Sequence, residues 1–290
     1  MTFKNILKRI LPGGVYLRAV QLYESIPVKS IRAAIREQKL LPIYNQLVQI
    51  IPDITHQYSS FDIDTDYLET TVRAQHAFQV SLVNEALSLP DFTAEETLTI
   101  VDIGDSAGTH IQYLKELYKS RNIRSLSVNV DGEAIKRIRE KGLEAVQARA
   151  EDLASLSIKA DIFLSFEMLE HLMNPFEFLK NISKTPCKLL ILTVPYLASS
   201  RVGLHHIRHN QKNKVTPETT HIFELSPADW RLLFKHSGWA IIADKIFYRY
   251  PKKSVFSYWL KRYWRNHDFE GFYGVILKPD KTWSELYNGW

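Results

Sequence analysis

The sequence predicts an α/β protein: a seven-stranded, mostly parallel sheet with helices on both faces and a helical extension ahead of it. Three observations carry this prediction. From Leu98 onward, short apolar runs alternate with helix-like stretches, the pattern of strands joined by crossover helices. Two of those helices announce their starts, and residues 1–60 show no strand alternation at all.

Phe3, Ile6, Leu7, Ile10 and Leu11 form one apolar stripe on a short helix, with Lys4, Lys8 and Arg9 opposite, until Pro12-Gly13-Gly14 breaks the pattern. A long helix is expected from Thr65 to Leu89, with Leu68, Val72, Phe78, Leu82 and Val83 inward. The strand candidates are Leu98–Val101, Leu126–Val130, Ala145–Gln147, Ile162–Ser165 and Leu189–Val194, each an apolar run of the kind buried on both faces. Asn174-Pro175-Phe176-Glu177 supplies a cap, a first-turn proline and a first-turn acid, and Ser226-Pro227-Ala228-Asp229 repeats the device. Gly238 closes the latter helix, and Ala240–Tyr248 and Phe272–Leu277 complete the seven strands. The expected organisation is a basic helical extension over residues 1–60 and a main domain over 61–290, with an aromatic and basic insertion at 250–270.

Composition narrows the function. Hydrophobic residues make up 45% of the 290, enough for a buried core, which excludes wholesale disorder. A single cysteine, Cys187, excludes a disulfide scaffold and a cysteine-based zinc cluster, and suits a reducing compartment. No apolar run approaches the roughly 20 residues of a membrane-spanning helix, and Lys8, Arg9 and Pro12 interrupt the only candidate secretory stretch. The expected location is cytoplasmic. The net charge of +5 is uneven: residues 1–40 carry eight basic side chains against Glu24 and Glu37, and Arg249 to Arg265 contains six basic residues and no acid. The body between them is acidic, so the basic character belongs to two surfaces.

The most informative stretch runs from Thr99 to Thr109. An apolar strand ends at Asp102, and a loop with Gly104 and Gly108 leads into a helix containing Ile111 and Leu114. Glycines there let the backbone turn tightly and approach a ligand. The loop fails the G-x-G-x-x-G dinucleotide fingerprint, because Ser106 stands at the second glycine. A carboxylate at Asp102 favours a ligand with a positively charged amino-acid moiety over a pyrophosphate.

With these residues in view, the sequence resembles the class I S-adenosylmethionine-dependent methyltransferases over about residues 98–279, which implies a Rossmann-like fold and S-adenosylmethionine as cofactor. Asp102-Ile-Gly104-Asp105-Ser106-Ala-Gly108 is similar to that family's D-x-G-x-G-x-G loop, with Ser106 for the middle glycine. Asp131 matches the acid that binds both ribose hydroxyls, since a carboxylate accepts two hydrogen bonds from a cis-diol. Ala150 and Glu151 match the pair beside the adenine, and Ser165 and Phe166 open a stretch to Leu172 that resembles the signature after the fourth strand. His221 to Trp230, and Ser237-Gly-Trp239 after it, resemble the family's late helix and sixth strand.

Methyl transfer is an in-line displacement, and a hydroxyl acceptor additionally needs a base, most often histidine. The chain lacks the Asn/Asp-Pro-Pro-aromatic motif of amino-methylating DNA enzymes. Pro186-Cys187 precedes the fifth strand, whereas a cytosine-C5 nucleophile is expected near the fourth. The resemblance is greatest to O-methylating enzymes acting on small molecules, sugars and lipids. The candidate bases are His171, His206 and His221, with His205 and His209 beside the second. Glu167, Glu170 and His171 match the E-x-x-E-H pattern with which ubiquinone-pathway O-methyltransferases hold a divalent metal, although a loop-orienting role is favoured over a metal. Phe256, Trp259, Leu260 and Tyr263 share a helical stripe flanked by Lys261, Arg262 and Arg265, which suits an anionic sugar, a lipid-linked glycan or nucleic acid. Residues 1–40 suit peripheral contact with an anionic membrane. The leading expectation is O-methylation of a small-molecule, sugar or lipid-linked glycan hydroxyl; the alternatives are an RNA methyltransferase and a non-catalytic binding module of the same fold.

Overall fold

The structure is a computed structural model that describes residues 13–58, 61–92, 97–153, 156, 158–203, 220–267 and 269–287. The amphipathic stripe Phe3–Leu11 and the histidines His205, His206 and His209 lie outside the described residues. Three helices, α1 (Gly13–Glu37), α2 (Leu41–Ile50) and α3 (Asp66–Leu87), precede the first strand. The chain then runs β1 (Leu98–Ile103), α4 (Thr109–Leu117), β2 (Ile123–Asn129), α5 (Gly132–Glu140), β3 (Ala145–Gln147), β4 (Ile162–Phe166), α6 (Pro175–Ile182) and β5 (Leu189–Tyr196). A two-residue ribbon follows, β6 (Arg201–Val202) with β7 (Phe223–Glu224), and then α7 (Pro227–His236), β8 (Trp239–Tyr248), α8 (Ser257–His267) and β9 (Gly271–Pro279).

The main sheet has the order β3-β2-β1-β4-β5-β9-β8. Strands β1 to β5 pair in parallel, and β9 inserts antiparallel between β5 and β8. This is the seven-stranded, Rossmann-like sheet expected from the apolar runs. Alternate strand residues face opposite layers. Ile100, Ile162, Leu164 and Ile191 pack with Ile31, Leu47, Phe78, Leu82 and Ile111 from the N-terminal helices and α4. Val101, Phe163, Leu190 and Leu192 pack with Phe178, Leu179, Trp230 and Phe234 from α6 and α7.

The helix starts follow their sequence signals. Asn174 Oδ1 accepts from Glu177 N at 3.0 Å, Ser226 Oγ accepts from Asp229 N at 3.4 Å, and Thr65 caps α3 through Leu68 N. Helix α3 lies close against the sheet at β9, where Gly274 leaves it room: a Cβ there would sit 2.4 Å from Leu82 Cδ1 and 2.9 Å from Phe78 Cζ. The stripe expected on α8 is turned. Leu260, Tyr263 and Trp264 face the core, while Phe256 and Trp259 face outward. Aromatic residues at consecutive turns allow two overlapping stripes, and burial of the larger Trp264 selects one of them.

Among the described residues, no helix is long and apolar enough to cross a membrane. Gly274→Ala is expected to lower the unfolding free energy by about 1–3 kcal/mol through overpacking against α3. Urea denaturation reads this directly, and an unchanged midpoint would contradict the close approach.

Candidate active site

Every group expected to meet the cofactor lies at the carboxyl edge of the parallel strands, where ligands of open α/β sheets bind. The loop after β1 turns through two left-handed glycines, Gly104 at φ +92° and Gly108 at φ +72°. A Cβ at Gly104 would meet Met168 Cγ at 3.1 Å, and one at Gly108 would meet Leu143 Cδ1 at 2.8 Å. The left-handed backbone at both positions favours glycine, and the neighbouring side chains would have to shift to admit a Cβ.

The acids of this loop turn inward. Asp102 is 1% exposed, and its Oδ2 lies 3.1 Å from Nδ1 of His110 in the first turn of α4. Nε2 of His110 lies 3.0 Å from Oε1 of Gln79, whose Nε2 donates to Thr193 Oγ1 at 3.1 Å. Gln79 Oε1 and the Asp102 carboxylate both accept, so both imidazole nitrogens carry protons and His110 is a buried cation. Burial opposes that charge, but the field and hydrogen bond of Asp102, with Asp105 adding to them, outweigh it and raise the His110 pKa. His76 stacks edge-on against His110 at 4.9 Å, and burial, then the His110 charge, holds it well below the usual histidine range.

Asp105 is buried beside this pair, accepting from Ser127 Oγ at 3.3 Å, while its backbone carbonyl accepts from Asn129 Nδ2. Burial first, and the Asp102 charge second, push its pKa from 3.8 to about 6.

A segment from the N-terminal region closes over the loop. Arg73 of α3 donates to the carbonyls of Ile51 and Pro52, and Arg137 of α5 to those of His56 and Tyr58. Between these anchors, Ser106 Oγ donates to the Gln57 carbonyl at 3.0 Å, and Thr109 Oγ1 donates to Gln57 Oε1. Ser106 is thus tied to the covering segment.

Asp131 stands at the end of β2 as the N-cap of α5: its Oδ1 accepts from Glu133 N at 3.0 Å, and its own N–H donates to Asn129 Oδ1. The carboxylate is half-buried, and among the described residues no hydrogen bond engages its other oxygen. That leaves one carboxylate oxygen as an acceptor at the end of β2, which fits a ribose diol. Ala150 and Glu151 form a 3-10 turn after β3, with Glu151 near Arg149. Ser165 and Phe166 end β4, both buried, and the Phe166 ring meets His110 edge-on at 5.0 Å.

The chain beyond β4 holds the groups suited to proton transfer. Glu167 has φ +49°, costly for a residue with a side chain, and this turn swings Glu170 and His171 to the sheet edge. His171 donates from Nδ1 to the Thr220 carbonyl at 2.8 Å, and its ring meets that of His221 at 4.7 Å. His221 donates from Nδ1 to Glu224 Oε1 at 2.8 Å. Burial alone would raise Glu224, but hydrogen bonds from His221 and Arg201 outweigh it and hold its carboxyl below the usual range. With Nδ1 donating to Glu224, the neutral form of this imidazole carries its lone pair on Nε2. Glu170 is fully buried, among the described residues neither of its oxygens is hydrogen-bonded, and burial, then the Glu167 charge, raises it well above the ordinary carboxylate range.

The metal set suggested by the resemblance comes together differently. Glu170, His171 and His221, without Glu167, place one ligand atom each within 4.8 Å of one another. Asp102, Asp105 and His110 form a second such group, but His110 uses both nitrogens as donors and offers no lone pair. Cys187 precedes β5, and burial pushes its thiol up to about 12, which disfavours a nucleophilic thiolate at neutral pH.

An open cleft of about 260 Å³ adjoins the histidines, lined by Tyr196, Ser199, Arg201, Arg265, Phe269 and Glu270 among others. The Phe269 ring lies 6.5 Å from that of His221, and Arg201 pairs with Glu224. Sequence reasoning had singled out neither His110, Gln57 and Gln79 nor Glu224 and Arg201.

Residues 101–185 match the family model described as a methyltransferase domain. No curated protein is detectably similar in sequence. Among solved structures, the [4+2]-cyclase SpnF aligns at 12% identity and TM-score 0.52, covering 86% of this chain and 97% of its own. An assigned sarcosine dimethylglycine methyltransferase of Galdieria sulphuraria aligns at 11% identity and TM-score 0.51, covering 74% and 87%. An assigned S-adenosylmethionine-dependent methyltransferase of Listeria monocytogenes aligns at 13% and 0.50, covering 71% and 98%. These likenesses establish the fold. The domain match adds S-adenosylmethionine-dependent methyl transfer as the activity class, with S-adenosylmethionine as cofactor.

The raised Asp105 makes a stability prediction. The folded protein holds a proton that the unfolded chain releases near pH 3.8, so this group's contribution is present at low pH and lost as pH rises through about 6. The loss approaches 3 kcal/mol as an upper bound, at about 1.36 kcal/mol per unit. Asp105→Asn is expected to raise stability by about 1–3 kcal/mol at pH 8, and by about 1 kcal/mol less at pH 5. Denaturant titrations at the two pH values check this, and a variant destabilised at pH 8 would contradict it.

Proposed function

We propose that this methyltransferase acts on the hydroxyl oxygen of a small-molecule, sugar or lipid-linked glycan acceptor, with His221 as the base. The observation carrying this reading is the Glu224–His221 pair at 2.8 Å beside the cleft. When bound, S-adenosylmethionine supplies an electrophilic methyl group on a good leaving group. The protein's task is then to align the hydroxyl and accept its proton.

Glu224 orients the imidazole and stabilises the imidazolium that forms when Nε2 takes the proton, the role a buried carboxylate plays beside a catalytic histidine. Arg201 fixes Glu224 in turn. The cleft holds both Arg201 and Arg265, each matched by a buried glutamate, Glu224 and Glu270. Such neutralised arginines suit multiple polar contacts with a hydroxyl-rich acceptor better than they suit a bare anion. Tyr196 and Phe269 supply flat apolar walls on which a sugar ring packs.

The test is transfer of labelled methyl from S-adenosylmethionine to a panel of hydroxyl acceptors. His221→Ala is expected to lower kcat about 10²–10⁴-fold while leaving cofactor affinity within about threefold. Glu224→Gln, which keeps the hydrogen bond's geometry but removes the charge, is expected to cost about 10-fold or more in kcat. Treatment with a chelator should leave activity intact. Loss of activity on chelation, restored by a divalent ion and abolished by Glu170→Gln, would replace the base with a cation that Glu170, His171 and His221 would hold. No methylation of any hydroxyl by cofactor-binding protein would overturn the acceptor class.

A further inference from the structure

The connection from β8 to β9 is anchored on its inner side and left bare on its outer side. Trp264 of α8 is buried and donates from Nε1 to Ser30 Oγ at 3.1 Å, and the Arg249 guanidinium lies 5.0 Å from its ring centre. Glu37, the last residue of α1, accepts from the backbone N–H groups of Lys252 at 2.8 Å and Lys253 at 3.0 Å. The segment is therefore a built element with defined contacts.

Its outer side is apolar. Val255 is 88% exposed, Phe256 65%, Tyr258 67% and Trp259 67%. Four large apolar side chains in five residues, all projecting into water, mark an interaction site. The Tyr258 and Trp259 rings meet edge-on at 5.7 Å and form one platform. Lys252, Lys253, Lys261 and Arg262 flank it along the chain, and among the described residues none of Lys253, Lys261 and Arg262 takes part in an ion pair. Seventeen residues from Arg249 to Arg265 contain no acid.

We propose that this tip, residues 252–262, docks on an anionic lipid bilayer, with Val255, Phe256 and Trp259 entering the headgroup region. Tryptophan and tyrosine favour the level where an apolar ring meets wet headgroups, and the cations meet lipid phosphates. The charge of the rim selects an anionic surface over a neutral apolar groove. The exposure of Val255 describes a protrusion, whereas single-stranded nucleic acid binds in grooves with stacking platforms. Arg265, at the far end of α8, lines the acceptor cleft. Docking thus brings the cleft toward the bilayer surface, where a lipid-linked acceptor would lie. That consequence rests on the proposed acceptor class; the docking does not.

The test is co-sedimentation of the full chain with phosphatidylcholine vesicles, with and without phosphatidylglycerol. Binding is expected with phosphatidylglycerol, and to be at least about tenfold weaker without it or at about 0.5 M salt. Phe256→Ser with Trp259→Ser, and separately Lys261→Glu with Arg262→Glu, should each weaken it by about tenfold or more. Unchanged thermal unfolding in both double variants shows that they remain folded. Wild type left in the supernatant, or double variants that bind like wild type, would overturn the proposal. So would a lipid-free dimer that both variants dissociate, or RNA binding without vesicle binding. None of these readouts requires methyl transfer, so docking and acceptor class fail or stand separately.

Discussion

The arrangement depends on one buried charge. Strand β1 ends in Asp102, and a carboxylate 1% exposed is costly unless a partner neutralises it. His110 is that partner, and its second nitrogen must also find an acceptor, which Gln79 provides. Gln79 in turn reaches Thr193 on β5. A single chain of hydrogen bonds thereby links β1, α4, α3 and β5. The loop between Asp102 and His110 has to return within eight residues, and the left-handed turns at Gly104 and Gly108 make that return possible.

The site's chemistry is distributed around this frame. Beyond β2, Asp131 offers a carboxylate oxygen at the sheet edge. Beyond β4, the strained turn at Glu167 brings His171 against His221, which arrives from the β6–β7 ribbon with Glu224 behind it. The ribbon itself is held by Ile222 N donating to the Glu170 carbonyl at 2.7 Å. The groups expected to face the cofactor and those proposed to accept a proton therefore hang on different strands of one sheet, and packing between strands sets their separation.

Much of the frame was legible in the sequence because it is local. The apolar runs marked all seven strands of the main sheet, with ends shifted by up to three residues where polar positions such as Arg124 and Ser125 still pair in the sheet. Asn174 and Ser226 cap helices where their side chains said they would. What escaped is non-local. His110 sits inside a helix with no pattern around it, and its meaning comes from Gln79, 31 residues earlier. His221 and His171 are 50 positions apart, and Glu224 reads as an ordinary surface acid until the fold buries it. The face of α8 was misplaced by periodicity, since Trp264 competed with Phe256 and Trp259 for the core and local spacing does not say which aromatic finds a cavity.

The central claim is that the loop after β1 and Asp131 together form a working S-adenosylmethionine site. Calorimetric titration with S-adenosylhomocysteine, on wild type and Asp131→Asn, tests it most directly, because asparagine preserves the helix cap while removing the carboxylate. Saturable binding by wild type, weakened about tenfold or more in the variant, is the predicted result. A folded wild type that takes up no ligand would contradict the account and leave the sheet edge without its assigned chemistry.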